Sequence, residues 1–251
     1  MYIDTHCHIS KKEYDVKLLA KELKENIIFI SGSDKESNLE VLDLSSEYKN
    51  FRGLIGYHPL DVDNLEDKDL EILEQQIINN KIIGIGEIGL DYYYRKDNKE
   101  KQIYFFKKQI ELARKYNLPI VVHIRESIQD AYDILKEEKN LKIVVHMFSG
   151  SVEMANNFIK LGAKLGVGGV VTFKNSKNIK LIVENIDLKY ILLETDCPYI
   201  SPEPFRGQLN TPLNIPIIAE KIAELKQVTK EEVFLVTTQN AIEQFDLKDI
   251  L

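Results

Sequence analysis

The sequence predicts a (β/α)8 barrel, read as a single domain over residues 1–251. Three observations predict it. Eight short runs of nearly continuous apolar residues recur along the chain, as expected for parallel strands covered on both faces. Each run is followed by a polar segment with helical periodicity. The polar residues able to do chemistry fall at the C-terminal ends of the runs, the rim where such barrels place their sites. A length of 251 residues is enough for one barrel. A doubly wound open sheet is the competing arrangement of the same elements.

The elements follow in order. Strand 1 is Y-I-D-T-H-C-H, residues 2–8, and a polar segment near Lys11 to Glu25 has helical period. Strand 2 is expected over 26–32 and its helix near Lys35 to Tyr48. Strand 3, over 52–59, is stopped by Pro59, which cannot donate to a ladder. The next helix is read near Asp67 to Asn79 and strand 4 over 81–87, ending at Glu87. A long helix from Lys99 to Tyr116 is punctuated by Asn117 and Pro119. Strand 5 spans 119–123, a helix runs from Ser127 to Glu138, and strand 6 spans 142–148. Ser151 or a neighbour caps a helix that reaches Leu161. Strand 7 spans 163–169, a helix covers Lys177 to Asn185, and strand 8 spans 190–196. Helices near Ile215 to Leu225 and Lys230 to Gln244 close the chain.

Side chains two apart on a strand share a face, so His6 and His8 look one way and Cys7 the other. His6, His8, Glu87, His123, His146 and Asp196 all stand at or near strand ends, so in a barrel they meet at one mouth. Four of the five histidines in the chain are in that set. Imidazoles with carboxylates suit a divalent transition metal. Six ligands exceed one tetrahedral ion and suit two ions, roughly 3.5–4 Å apart, sharing a carboxylate. Taken singly, a strand-end histidine is more often a satisfied core residue, Glu87 a partner for a buried cation, and Asp196 a cap. His58, in a G-Y-H-P turn, supports either a structural role or substrate contact. Cys7 and Cys197 read as small packing residues.

Composition narrows the classes. Hydrophobic residues at 44% and charged residues at 29% are ordinary for a globular chain. No apolar run reaches the ~18 to 20 residues needed to span a bilayer, and polar residues interrupt the N-terminus where a signal peptide is apolar. No membrane association is expected. Two cysteines make no disulfide framework, so the cytoplasm is the expected compartment. A net charge of −7 excludes a globally basic nucleic-acid coat protein. Attraction of a polyanion must then be local.

The motifs D-T-H-C-H, G-Y-H-P, I-G-E-I-G-L-D-Y-Y, N-L-P-I-V-V-H-I-R, V-H-M-F-S-G-S, L-L-E-T-D-C-P-Y and S-P-E-P-F-R-G, taken together, resemble the TatD family of metal-dependent deoxyribonucleases of the amidohydrolase superfamily. The resemblance runs from Tyr2 to Asn240. It implies a barrel with two divalent ions, magnesium, manganese or zinc. One ion would be held by His6, His8 and Asp196, the other by His123 and His146, with Glu87 bridging and Asp196 as general base. The implied activity is hydrolysis of DNA phosphodiesters by a metal-activated water, as a 3′–5′ exonuclease on single strands, by a monomer.

Arg206 and Arg125 would meet phosphate oxygens, and Ser149 with Gly150 would offer N–H groups at a helix start. Tyr92, Tyr93 and Tyr94 stack bases or pack a loop. After R-G the family's usual basic and acidic residues are missing: the segment reads Gln208, Leu209, Asn210, Thr211, Pro212. Two alternatives remain at this stage. One is a hydrolase of the same fold acting on a small ester or amide or on an aminoacyl-tRNA ester. The other is a non-catalytic metal-containing binding protein.

Overall fold

The strands are all parallel and follow one another in chain order around a single eight-stranded sheet, as a computed structural model describes it over residues 1–247. They are β1 (Ile3–Cys7), β2 (Ile27–Ser31), β3 (Phe51–Ile55), β4 (Gly84–Asp91), β5 (Ile120–Arg125), β6 (Ile143–Val145), β7 (Lys164–Val167) and β8 (Ile191–Leu193). The helices between and after them are α1 (Val16–Glu22), α2 (Lys35–Glu47), α3 (Asp67–Asn79), α4 (Lys99–Tyr116), α5 (Ile128–Leu135), α6 (Val152–Lys160), α7 (Lys177–Asn185), α8 (Ile215–Lys226) and α9 (Lys230–Gln244). The barrel is nearly closed. Its last seam, between β8 and β1, is held by specific polar contacts. The Thr5 hydroxyl donates to the Leu193 carbonyl at 3.0 Å. The Thr195 N–H and hydroxyl both donate to the Asp4 carboxyl, at 3.0 and 2.5 Å. Above them the Asp196 N–H donates to the His6 carbonyl and the His8 N–H to the Cys197 carbonyl.

Helix starts follow from capping side chains. Asp34 and Ser37 form a reciprocal capping box on α2, and Ser151 and Thr229 accept N–H groups at the starts of α6 and α9. Asn117, in the left-handed region at φ 52°, ends α4 where the sequence predicted a stop.

Two apolar layers result. Alternate strand residues such as Ile30, Ile55, Val122 and Val145 pack outward on the helices. The others, Ile3, Phe29, Leu54, Val121, Val144 and Leu192, fill the lower barrel interior. Ala241, Ile242 and Phe245, from α9 and the residue that ends it, cover that end, with the Phe245 ring edge-on to Phe29 at 4.8 Å. The bottom is therefore sealed, and only the opposite end is open to chemistry.

Several strand limits differ from those expected. β3 stops at Ile55, because Gly56 to Pro59 leave the ladder for a turn in which the His58 N–H donates to the Ser33 carbonyl. β6 and β8 are three residues each, so His146 and Asp196 lie just beyond them. β4 begins later than expected and runs on to Asp91, which places Glu87 inside the strand rather than at its end. α1 and α5 are also shorter than their periodic segments.

Candidate functional site

Two β-bulges set the site. Along β1 the pairing with β2 slips between Asp4 and Cys7. Ile3 joins the interior layer while Cys7 joins the outer one, and the skipped residue lets both His6 and His8 face the barrel interior. Along β4 the pairing with β5 slips between Ile85 and Ile88, where Glu87 sits. A bulge of this kind re-aims a side chain without ending the strand. Gly86 is required beside it, because a Cβ there would meet Val121 Cβ at 2.7 Å. Asp196 takes φ 56°, a left-handed conformation that costs a non-glycine residue roughly 1–3 kcal/mol and clusters at functional sites.

The six expected ligands converge. The His6 and His8 Nε2 atoms lie 3.2 Å apart. Both face Glu87 Oε2, at 3.5 and 3.4 Å, and Asp196 Oδ1, at 3.8 and 3.7 Å. The other Glu87 oxygen, Oε1, faces His123 Nδ1 at 2.8 Å and His146 Nε2 at 3.4 Å. His146 Nε2 also reaches Asp196 Oδ1 at 3.8 Å. The two oxygens of one carboxylate thus look at two different pairs of imidazoles. Three overlapping triads have ligand atoms within 4.8 Å of one another: His6–His8–Glu87, His6–His146–Asp196 and His58–Glu87–His123.

The ring nitrogens turned away from this centre fix the tautomers. His8 Nδ1–H donates to the Ser31 carbonyl at 3.0 Å, leaving a lone pair on Nε2 when the ring is neutral. His6 Nδ1 shares a hydrogen bond with the Ser31 hydroxyl at 3.2 Å. His58 is the reverse case. Its Nδ1 accepts the Leu60 N–H at 3.2 Å, so its Nε2 carries the proton and points it toward Glu87 Oε1, 3.7 Å away. His58 is arranged as a donor rather than a ligand. His123 lies between two carboxylates, Nδ1 on Glu87 and Nε2 on Asp91 Oδ2 at 3.0 Å.

Sequence reasoning passed over Asp91, Glu194 and Ser31. Asp91 is buried and also accepts the Tyr93 and Tyr94 N–H groups. Glu194 is fully buried beneath His146. Its Oε1 accepts the Met147 N–H and lies 3.4 Å from His146 Nδ1. The signal for both was a second carboxylate close in sequence to a first, in E-I-G-L-D and in E-T-D.

Burial and neighbours split the acidities. Burial pushes Asp196 up to about 6, only partly offset by His146 and His8. Burial alone would raise Glu87, but the surrounding histidines, His146 first, hold it well below the usual carboxylate range. Burial lowers His6 to about 4 and His58 to about 3. For His8 and His123 burial also acts downward, but Glu87 with Asp196, and Asp91 with Glu87, outweigh it and raise both to about 9.

This cluster floors a cleft of about 710 Å³ at the open end of the barrel. Arg125 lines the cleft, its guanidinium 4.1 Å above the Tyr93 ring and 4.7 Å from that of Tyr94. Arg206 does not line it and stacks on Phe173 at 4.2 Å. Ser149 lies beside a separate, smaller pocket, where its carbonyl accepts from Asn178. Cys7 and Cys197 are fully buried free thiols in the outer core.

The donor set fits metal ions on its own chemistry. Imidazole nitrogens 3.2 Å apart, facing carboxylate oxygens on a buried floor, repel one another unless protons or cations lie between them. On the side of His146 turned away from the cluster, its Nδ1 and Glu194 Oε2 are buried without a hydrogen-bond partner.

Comparisons with known proteins agree with this geometry. A family model described as TatD related DNase matches residues 3–246. The chain is 39% identical over 248 residues to the metal-dependent hydrolase YabD of Bacillus subtilis, covering 96% of this chain and 97% of that protein. It is 32% identical over 255 residues to the metal-dependent hydrolase YcfH of Escherichia coli K12, covering 98% and 96%. The crystal structure of the TatD homologue YjjV from Escherichia coli K12 superposes with a TM-score of 0.91 at 29% identity, covering 98% of each chain. A TatD family hydrolase from Entamoeba histolytica, at 23% identity, shares the fold with a TM-score of 0.84.

Proposed function

The chain belongs to the TatD-related DNase family of metal-dependent hydrolases, and from that membership we propose that it hydrolyses phosphodiester bonds of single-stranded DNA, acting as a 3′–5′ exonuclease. The observation that carries the reading is the split of Glu87, whose Oε2 faces His6 and His8 while Oε1 faces His123 and His146. That split favours two cation positions bridged by one carboxylate. His6, His8 and Asp196 would hold one ion, and His123 and His146 the other.

When bound, a divalent pair supplies Lewis acidity toward a phosphoryl oxygen and hydroxide near neutral pH. The protein's own groups do the rest. Asp196 Oδ1, within 3.8 Å of three imidazoles, is placed to take a proton. The His58 Nε2–H, fixed by Leu60, donates into the cleft toward an anionic oxygen. Arg125 supplies a planar cation at the rim. Ser31 orients both histidines of β1.

Cleft charge supports the metal dependence. Glu13, Glu40, Asp61, Glu87, Asp91 and Asp196 line it, against Arg125 and the raised imidazoles of His8 and His123. A phosphodiester entering such a cleft is repelled until cations compensate.

The test is digestion of single-stranded DNA labelled at either end, with and without chelator, and with RNA alongside. Release of mononucleotides from the 3′ end, abolished by chelation, is the expected result. His6→Ala and Asp196→Asn are each expected to lower the rate by at least about 10²-fold, the scale of removing one electrostatic stabiliser, while the melting temperature of the stripped protein stays near that of the wild type. Full activity in either variant would refute the assignment of that residue.

A further inference from the structure

The three most exposed aromatic rings among the described residues are Tyr199, Tyr94 and Tyr93, at 60%, 59% and 53%. All three follow strand ends at the open face of the barrel, and Tyr94 and Tyr199 line the cleft. Leaving such rings in water forgoes apolar burial. Tyr92, their neighbour, is instead buried and donates its hydroxyl to Asp130 at 2.9 Å, so the Y-Y-Y run divides into one buried ring and two exposed ones.

Placement gives the pair meaning. Tyr94 follows β4 and Tyr199 follows β8, and in a ring of eight consecutive strands these are four steps apart, on opposite sides. The Tyr94 N–H donates to Asp91 Oδ1 at 2.9 Å, and Asp91 holds His123. The Tyr199 N–H donates to the Asp196 carbonyl at 2.9 Å, and the Tyr199 ring stands edge-on to His8 at 6.1 Å. Each ring is therefore tethered to the polar floor, one through the His123 side and one through the His8 side, with Glu87 between. Arg125 stacks on the Tyr93–Tyr94 wall and stiffens it.

We propose that Tyr94, braced by Arg125, and Tyr199 are two stacking platforms that hold the nucleobases on either side of the scissile phosphate. This rests on the phosphodiesterase reading above and deepens it. The minimal substrate is an unpaired dinucleotide step, its phosphate over Glu87 and its two bases on opposite walls. In a duplex successive bases lie in one continuous paired stack and cannot part to reach opposite walls, so the platforms disfavour paired ends. Ring faces stack any base, so the platforms select for single strands and not for sequence.

The test uses the metal-loaded enzyme and two single-stranded oligonucleotides. One is of mixed sequence. The other is identical except for abasic residues on both sides of the 3′-terminal phosphodiester. Wild-type enzyme should prefer the base-bearing substrate. Tyr94→Ala and Tyr199→Ala should each raise KM for it roughly 5- to 150-fold, the scale of losing one base stack, and each should cut the preference over the abasic substrate by a similar factor, with the double variant bringing it near one. Tyr94→Phe and Tyr199→Phe, which keep the ring, should restore it. Alanine variants that keep the wild-type preference overturn the platforms and leave the phosphodiesterase reading intact. Wild-type protein that cuts neither oligonucleotide with any divalent ion overturns both.

Discussion

Two of the imidazoles beside Glu87, those of His8 and His123, hold their second proton up to about pH 9, although burial opposes it. His6 and His58 behave oppositely and stay neutral down to about pH 4 and 3, because burial dominates there. In protein stripped of divalent ions, the raised pair contributes stability in full below its ordinary pKa of about 6.5 and loses it as pH rises through 9. The depressed pair contributes stability above 6.5 and loses it as pH falls toward 4. With His8 and His123 as the ligands proposed above, a cation taken up at pH 7.5 would displace the Nε2 proton of His8 and one proton of His123, so binding is expected to release protons. Calorimetry of divalent-ion binding in buffers of different ionisation enthalpy measures this. Ion binding with no linked proton release would contradict the arrangement of Glu87 between two protonated rings.

Among the elements, β4 contributes most to the site. It carries the bulge that aims Glu87, ends on Asp91, and leads into the exposed tyrosines. Its closeness to β5 depends on glycines. Gly89 has φ +142°, and a Cβ there would lie 2.1 Å from the His123 carbonyl oxygen. Gly89→Ala is therefore expected to push β5 aside, lower stability by about 1–3 kcal/mol and displace His123 from Glu87, cutting hydrolysis with it. Gly207, at φ +82° with nothing within 4 Å of its would-be Cβ, supplies the control, since alanine there meets backbone strain alone. Urea unfolding with rate measurements on both variants separates the cases. Equal effects would show that strain, and not the β4–β5 contact, decides.

For the whole molecule, the barrel separates stability from chemistry along its axis. Phe245 closes the bottom against Phe29, and the polar cluster occupies the top. Phe245→Ala removes a buried ring and is expected to cost about 3–5 kcal/mol, seen as a lower unfolding midpoint, with kcat unchanged below that midpoint. A large fall in kcat in the folded variant would mean that the floor communicates with the mouth. Among the described residues no helix is long and apolar enough to cross a membrane. The same closure brings together residues far apart in the chain, as in the Thr195–Asp4 contact that draws β8 against β1.

The sequence by itself determined the strand–helix alternation, most helix limits, the barrel and, with Glu87, the five residues that crowd around it. It could do so because hydrophobic periodicity and capping are local, and because barrel strands present their ends to a common mouth. It did not reveal the two bulges, since a skipped residue leaves the composition of a strand unchanged and shows only in its pairing with the neighbouring strand. It could not separate His58 as a donor from the other imidazoles, because that depends on Leu60 holding one ring nitrogen. Nor could it tell Arg125, at the cleft, from Arg206, stacked on Phe173, or Tyr92 from Tyr94. Those distinctions are set by distances between segments that meet only when the ring of strands closes, and tertiary structure alone supplies them.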